Sequence, residues 1–184
     1  MSNSYFDEVC EKIFYSKEDI ESKVIEIGDK ITADYKGEKI FFISVLNGAF
    51  MFTSDLLKHI NTDCEIDFMQ VSTYGNSTDT SGDFKVKKDL SVDIKDKNVI
   101  IVEDILDTGY TMEKLMDYLK IKKPKSLKCC AFIDKPHRRM NDIKADYYGF
   151  KMEKDYFIVG YGLDYEQLYR NLPYIGVLKE HIYS

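Results

Sequence analysis

Three carboxylates stand close together directly behind an apolar run in the stretch VIIVEDILDTGYT. Glu103, Asp104 and Asp107 follow the four apolar residues 99–102. Carboxylates at this spacing repel one another, so they need a cation or several hydroxyl donors between them. A magnesium ion or the vicinal hydroxyls of a sugar would meet that need.

The residues behind the carboxylates have the composition of a phosphate site. Asp-Thr-Gly-Tyr-Thr, residues 107–111, leads into a helical pattern formed by Met112, Leu115 and Leu119. Backbone N–H groups at such a turn, together with the positive end of the helix dipole, form a phosphate cradle that needs no lysine. Gly109 lets the backbone approach the ligand closely. The stretch therefore predicts a site for a phosphorylated sugar.

Other interpretations of these residues explain less. Residues 106–109 match the apolar-Asp-Thr-Gly signature of aspartic proteases, but that signature belongs to an all-β framework and gives Glu103 and Asp104 no role. The sequence contains neither GxxxxGK[ST] nor GxGxxG, which excludes a P-loop and a Rossmann dinucleotide fingerprint. A receiver-type acidic pocket would explain the carboxylates but not the Asp-Thr-Gly-Tyr-Thr turn.

Strand and helix patterns alternate along the chain. Short apolar runs predict buried strands, and a capping box at Ser16 and Asp19 opens the first helical pattern. The predicted strands that position the site are residues 40–45, 99–102, 127–133 and 157–159. This alternation predicts an α/β fold with a mostly parallel twisted sheet and helices on both faces, and ligands bind such sheets at the carboxyl ends of the strands.

Composition limits the function classes. The chain of 184 residues suits one domain, and its net charge of −6 argues against a nucleic-acid or anionic-membrane binder. Four cysteines show no CxxC spacing, no leader pattern opens the sequence, and no apolar run reaches membrane-spanning length. We expect a cytoplasmic protein with reduced thiols. The polar segment 72–83 predicts either a dispensable loop or an active-site lid.

The stretch VIIVEDILDTGYT resembles the phosphoribosyl-pyrophosphate signature of the type I phosphoribosyltransferases. Further matches are VLNG at residues 45–48, STYG at 72–75, Lys135 after a later strand, and FIVGYGLDY at 157–165. Together they resemble the hypoxanthine-guanine branch of that family, from the N-terminal helix to Arg170 and beyond. The resemblance implies the type I fold: a single domain over residues 1–184, a flexible active-site loop at about 72–86, and a small hood built from the chain ends, with base recognition at about 150–184.

The resemblance also implies an activity. Such an enzyme transfers the 5-phosphoribosyl group from phosphoribosyl pyrophosphate to hypoxanthine or guanine, gives IMP or GMP and pyrophosphate, and uses Mg²⁺. Glu103 and Asp104 then bind the ribose hydroxyls and the metal, and Asp107 acts as general acid/base at N7 of the purine. The implied 5-phosphate cradle consists of Asp107, Thr108, Gly109, Tyr110 and Thr111.

Further roles follow from the resemblance in the same way. Pyrophosphate binds Asn47, Gly48 and Arg170, often beside a cis peptide at residues 46–47. Relatives often carry Lys at Asn47, so this chain has one cation fewer. The implied purine site consists of Lys135, Phe157, Ile158 and Asp164. Asp164 also binds a metal ion, and Thr73 and Tyr74 belong to the lid.

Several points stay open in the sequence. A homodimer and a homotetramer are both compatible with the chain, and the basic run at residues 135–139 predicts a solvated turn or a subunit contact. The alternative functions are a xanthine-preferring enzyme and a non-catalytic sensor of phosphoribosyl pyrophosphate or nucleotide. Retention of Asp107, Lys135 and the lid residues favours the enzyme.

Overall fold

A sheet of six strands is the centre of the computed structural model, which describes residues 8–74 and 83–184. Along the chain the elements are β1 (Cys10–Tyr15), α1 (Lys17–Tyr35), β2 (Ile40–Leu46), α2 (Phe50–Leu57), β3 (Cys64–Tyr74), β4 (Asp83–Lys88), β5 (Asn98–Leu106), α3 (Tyr110–Lys120), β6 (Ser126–Asp134), a 3₁₀ turn (Pro136–Arg138), β7 (Tyr147–Lys151), β8 (Ile158–Val159), β9 (Ile175–Leu178) and α4 (Glu180–Tyr183).

The main sheet is parallel except at one edge. Its strand order is β4-β3-β2-β5-β6-β7, and only β4 runs antiparallel to its neighbour. The carboxyl ends of β2, β5 and β6 therefore lie side by side at one edge of the sheet. This arrangement confirms the predicted mostly parallel sheet and brings together the three turns that carry the predicted site.

Helices cover both faces of the sheet, as predicted. The capping box at Ser16 and Asp19 starts α1, whose apolar side packs with α2 against one face. Helix α3 buries Met112 and its apolar neighbours against the other face. Cys129 and Cys130, adjacent in β6, are both buried and belong to opposite cores, as strand alternation requires.

The central strand β5 is longer than its apolar run. The sequence predicted its end at residue 102, but pairing with β6 continues as far as Leu106 opposite Asp134. Main-chain hydrogen bonds to a neighbouring strand are indifferent to side-chain charge, so they carry the strand through Glu103 and Asp104. The two carboxylates thus lie within the last part of the strand, and only Asp107 lies in the turn.

Strands β3 and β4 extend into the predicted polar segment. Residues 72–74 extend β3 and residues 83–86 begin β4, and the two strands pair from Tyr74 opposite Asp83 inwards. Val71, Phe84 and Val86 pack partly buried against the core, which explains why the extended strands continue. Of the loop predicted at about 72–86, residues 72–74 and 83–86 thus lie in strands, and residues 75–82 lie outside the described residues.

A second sheet joins the two ends of the chain. Strands β1, β9 and β8 form it in that order, all antiparallel, around Val9, Cys10 and Leu172. Ile175 and Val177 of β9 also reach the main core on the α1 side. Because β7 ends at Lys151 and belongs to the main sheet, the second sheet takes its C-terminal strands from the residues beyond it. Across the described residues, no helix is long and apolar enough to cross a membrane.

Candidate active site

Glu103 and Asp104 form an acidic pair at the end of β5. Their side chains are partly buried and hydrogen-bonded to each other, and the Ile105 N–H also donates to Asp104 Oδ1 at 2.9 Å. Burial and the neighbouring Asp104 carboxylate raise the pKa of Glu103 well above its usual value. Burial raises the pKa of Asp104 as well, against the opposing effects of its hydrogen bonds with Glu103 and the Ile105 N–H and of the Arg170 charge. Two neighbouring carboxylates whose charged forms are disfavoured by burial and by each other are well suited to accept a cation.

The turn after β2 touches this pair. A Cβ atom built on Gly48 would lie 1.7 Å from Asp104 Oδ2, so any other residue would displace the Asp104 carboxylate. The peptide bond between Leu46 and Asn47 is cis, and the Asn47 side chain is exposed. The backbone at Gly48 and the Asp104 carboxylate therefore share one wall of the site.

A loop of the second sheet closes over the same turn. Gly162 has a φ of +100°, and a Cβ atom there would lie 2.0 Å from the Gly48 carbonyl oxygen. Arg170 Nη1 donates to the Gly162 carbonyl at 2.7 Å, and Nη2 lies 2.8 Å from Asp164 Oδ1. The three predicted pyrophosphate residues are thus brought near one another, with Gly162 between the Gly48 turn and Arg170.

The predicted phosphate cradle is a cavity of about 310 Å³ at the N-terminus of α3. Gly109, with a φ of +83°, precedes the helix and lines the cavity. Its lining consists of Glu103, Ile105, Leu106, Asp107, Thr108, Gly109, Thr111 and Met112. Tyr110 begins the helix, and its N–H donates weakly to Thr108 Oγ1 at 3.4 Å. The cavity has the backbone and hydroxyl donors expected of a phosphate site.

The basic run after β6 supports this turn although residues 136–138 are exposed to solvent. Arg139 is 10% exposed in its side chain; Nη1 donates to the Asp107 carbonyl at 2.9 Å, and Nη2 pairs with Asp134. The Met140 N–H donates to the Thr108 carbonyl at 2.9 Å. His137 Nδ1 lies 3.0 Å from the Met152 carbonyl oxygen. The predicted solvated turn therefore holds for the exposed residues 136–138 but not for Arg139, whose partners lie on other elements. The alternative, a subunit contact, stays a prediction.

A larger cavity of about 500 Å³ lies beside the cradle. Lys135 enters it from the end of β6 and is 6% exposed. Its Nζ donates to Asp155 Oδ1 at 2.9 Å, and Asp155 also pairs with Arg138. Arg138 Nε lies 2.8 Å from Asp107 Oδ1, so a chain of alternating charges runs from Lys135 to Asp107.

The other predicted purine residues line the same cavity. Phe157 is 40% exposed, and Ile158 is buried in β8. Asp164 accepts the Gln167 N–H at 2.8 Å and pairs with Arg170. The side chains of the predicted lid residues, Thr73 and Tyr74, are not among those described. The structure thus brings Lys135, Phe157, Ile158 and Asp164 around one space.

Sequence reasoning missed Asp155, Arg138 and Gly162. Asp155 stands two residues before Phe157, and Gly162 lies inside the matched GYGLD run, so proximity to the motif was the available signal. Arg138 could have been noticed as a second cation close to Lys135 in the sequence. Its partners Asp107 and Asp155, however, are distant in sequence. Pairing of that kind is visible only in three dimensions.

The acidic pair fits magnesium in its chemistry. Within the described part of the chain, no group of three or more acidic, histidine or cysteine side chains could hold a metal ion alone. Magnesium commonly takes one or two carboxylates and completes its shell with water and substrate phosphates, so Glu103 and Asp104 are a sufficient protein contribution.

Comparison with known proteins agrees with this arrangement. The family model for the phosphoribosyl transferase domain matches residues 12–166. Proteins named hypoxanthine-guanine phosphoribosyltransferase from Bacillus subtilis and Streptococcus agalactiae are both 49% identical, covering 95% and 94% of this chain and 96% of each relative. The crystal structure of a hypoxanthine phosphoribosyltransferase from Staphylococcus aureus aligns with a TM-score of 0.95 at 44% identity over 100% of both chains. The chain therefore belongs to the hypoxanthine-guanine phosphoribosyltransferase family, whose members are pentosyltransferases.

Proposed function

We propose that this protein transfers the 5-phosphoribosyl group of phosphoribosyl pyrophosphate to N9 of hypoxanthine or guanine, giving IMP or GMP and pyrophosphate. One observation carries the proposal. Ile105 and Asp107 line both the cradle cavity and the larger cavity, so the two spaces meet at the Asp107 carboxylate. A phosphate bound in one and a base bound in the other would bring the ribose between them, beside that carboxylate.

The larger cavity suits a 6-oxopurine. The Lys135 ammonium has three N–H donors, and two of them contact Asp155 and, at 3.4 Å, the Tyr156 carbonyl. The third donor can reach O6 of hypoxanthine or guanine, whereas adenine carries an amino group there and cannot accept it. Phe157 offers a ring for stacking, and the backbone of Ile158 can meet the Watson-Crick edge.

Pyrophosphate and the ribose hydroxyls bind on the side of the site opposite the purine. Asn47 and Gly48 contribute backbone N–H groups, and Arg170 contributes positive charge while it is held by Gly162 and Asp164. Glu103 and Asp104 accept hydrogen bonds from the ribose hydroxyls. Bound at these carboxylates, Mg²⁺ would neutralise charge on the departing pyrophosphate.

The reaction exchanges one bond for another at C1 of the ribose. The bond from C1 to the pyrophosphate oxygen breaks, the bond from C1 to N9 forms, and the proton on N7 passes to Asp107. The positive charge that develops on C1 is stabilised by the surrounding carboxylates. Arg138, 2.8 Å from Asp107 Oδ1, orients the carboxylate that receives the proton.

The remaining roles stay predictions. Thr73 and Tyr74 act as a lid that keeps water from the reaction centre, where hydrolysis of the sugar donor would compete with transfer. Asp164 contributes to a second magnesium site beside its contact with Arg170. The protein acts as a homodimer or homotetramer in the cytoplasm.

A steady-state assay tests the proposal. Phosphoribosyl pyrophosphate and Mg²⁺ are supplied with hypoxanthine, guanine, xanthine or adenine, and pyrophosphate release is followed. We expect turnover with hypoxanthine or guanine and none with adenine. Turnover with xanthine alone would overturn the proposal in favour of a xanthine-preferring enzyme. Nucleotide binding without turnover of any base would overturn it in favour of a sensor.

A further inference from the structure

The last helix of the chain reaches the proposed base site. Tyr183 of α4 lines the larger cavity together with Phe157 and Lys135. Its ring stacks on the Phe157 ring with 4.6 Å between centroids and 16° between planes. Neither the sequence pattern nor the role proposed for Phe157 assigns a function to Tyr183.

The backbone fixes α4 to the strand that begins after Phe157. The Leu178 N–H donates to the Phe157 carbonyl at 2.8 Å, and the Lys179 N–H donates to the Val9 carbonyl at 3.1 Å. Ile182 packs on the small core of the second sheet, one residue before Tyr183. The Tyr183 ring is therefore held beside Phe157 by contacts of the residues that precede it in the sequence.

The ring contacts of Phe157 limit which of its faces a purine can use. Tyr183 covers one face, and Tyr165 approaches at 81° with 5.5 Å between centroids. Phe157 nevertheless remains 40% exposed, so these two tyrosines leave part of its ring accessible. A purine between the two rings would need roughly twice a single stacking separation, and 4.6 Å does not provide it. A base that stacks on Phe157 must therefore use the face opposite Tyr183.

We propose that Tyr183 is a positioning residue for the base: it supports Phe157 from behind, so that the purine completes a stack of three rings. The inference rests on the proposed function, because it assumes that Phe157 stacks on a purine. Tyr183 acts through Phe157. Without Tyr183, the Phe157 ring can turn away from the stacking plane, and base affinity falls while the sugar donor is unaffected.

Steady-state kinetics of three variants test this role. Tyr183→Leu keeps an apolar side chain but removes the ring, Tyr183→Phe keeps the ring, and Tyr148→Leu removes an exposed tyrosine from β7 as a control. We expect Tyr183→Leu to raise KM for hypoxanthine about 2- to 10-fold, the range that one aromatic pair supports. KM for phosphoribosyl pyrophosphate should stay unchanged, and the other two variants should match the unmodified chain.

Other results would overturn the inference. An unchanged KM for hypoxanthine in Tyr183→Leu would show that the stack does not assist the base, and a lower KM would show that the ring blocks the cavity. A Tyr183→Phe variant as impaired as Tyr183→Leu would assign the effect to the hydroxyl. Failure of the unmodified chain to use any base would instead contradict the proposed function.

A fluorescence measurement, which does not depend on turnover, tests whether the ring at residue 183 stays behind Phe157 or is displaced when ligand binds. The chain contains no tryptophan, so Tyr183→Trp introduces a single reporter. If the ring stays behind Phe157, saturation with IMP should not increase quenching of its fluorescence by acrylamide. Increased quenching would mean that the ligand expels the ring from its place, and it would refute the positioning role.

Discussion

Replacing Gly48 with alanine puts a methyl group against the carboxylate of Asp104. The added Cβ would lie 1.7 Å from Oδ2 and 2.4 Å from Cγ. A carbon and an oxygen in contact normally stay about 3.3 Å apart, so the carboxylate oxygen must move by roughly 1.6 Å. Asp104 cannot turn freely because it is hydrogen-bonded to Glu103 and to the Ile105 N–H. The acidic pair must then be displaced as a unit.

The kinetic effect follows from that displacement. A shift of about 1 Å in a positioned group can cost on the order of 100-fold in rate. We expect Gly48→Ala to lower kcat/KM for phosphoribosyl pyrophosphate by about 100-fold, equivalent to roughly 2.7 kcal/mol. KM for hypoxanthine should change little, because Lys135 and Phe157 are untouched.

Gly37→Ala is the matched control. A Cβ atom at Gly37 meets nothing within 4 Å, although its φ of +85° strains any other residue. This variant should lose about 1–2 kcal/mol of stability and keep its kinetic constants. The measurement is kcat/KM at varied phosphoribosyl pyrophosphate, with thermal melts of both variants. A folded Gly48→Ala protein with kcat/KM within about threefold of the unmodified chain would refute the reasoning.

Three other perturbations have defined outcomes. Asp155→Asn should raise KM for hypoxanthine about 10-fold in steady-state assays, since Lys135 loses a charged partner, and an unchanged KM would count against the pairing. Chelation of divalent cations with EDTA should abolish pyrophosphate release and excess Mg²⁺ should restore it, whereas full activity in EDTA would exclude a metal requirement. Burial acts to raise the pKa of Asp67, but hydrogen bonds led by those from Ser91 outweigh it and lower that pKa from 3.8 to about 2. The stabilising contribution of Asp67, roughly 2 kcal/mol, is therefore present above about pH 4 and lost towards pH 2. The difference in Tm between the unmodified chain and Asp67→Asn should shrink over that range; a constant difference would contradict the assignment.

Local patterns predicted the parts of the fold that depend on neighbours in sequence. The apolar run before Glu103 predicted a buried central strand, and the capping box at Ser16 predicted the start of α1, because both depend on contacts within a few residues. The charged end of β5 was missed, since its pairing with β6 is set by main-chain hydrogen bonds that carry no side-chain signal. Strand β4 was missed for the same reason: only its pairing with β3 identifies it.

The site divides in the same way. The cradle residues could be predicted because they are consecutive, and Lys135 and Phe157 could be predicted by resemblance to a family. The contact of Gly48 with Asp104 joins two strands, and the pairing of Asp155 with Lys135 joins a loop to β6. Such contacts depend on strand register and loop closure, which a single sequence does not encode in any short pattern.

The most direct test of the central claim is the turnover of Asp107→Asn with phosphoribosyl pyrophosphate, Mg²⁺ and hypoxanthine. Asp107 lines both cavities, and its carboxylate is the proposed acceptor of the N7 proton. Asp117→Asn is the control, since that side chain is 61% exposed on α3. We predict that Asp107→Asn lowers kcat by about 100- to 10,000-fold and leaves phosphoribosyl pyrophosphate affinity nearly unchanged, while the control stays fully active. Unchanged turnover in Asp107→Asn would contradict the account.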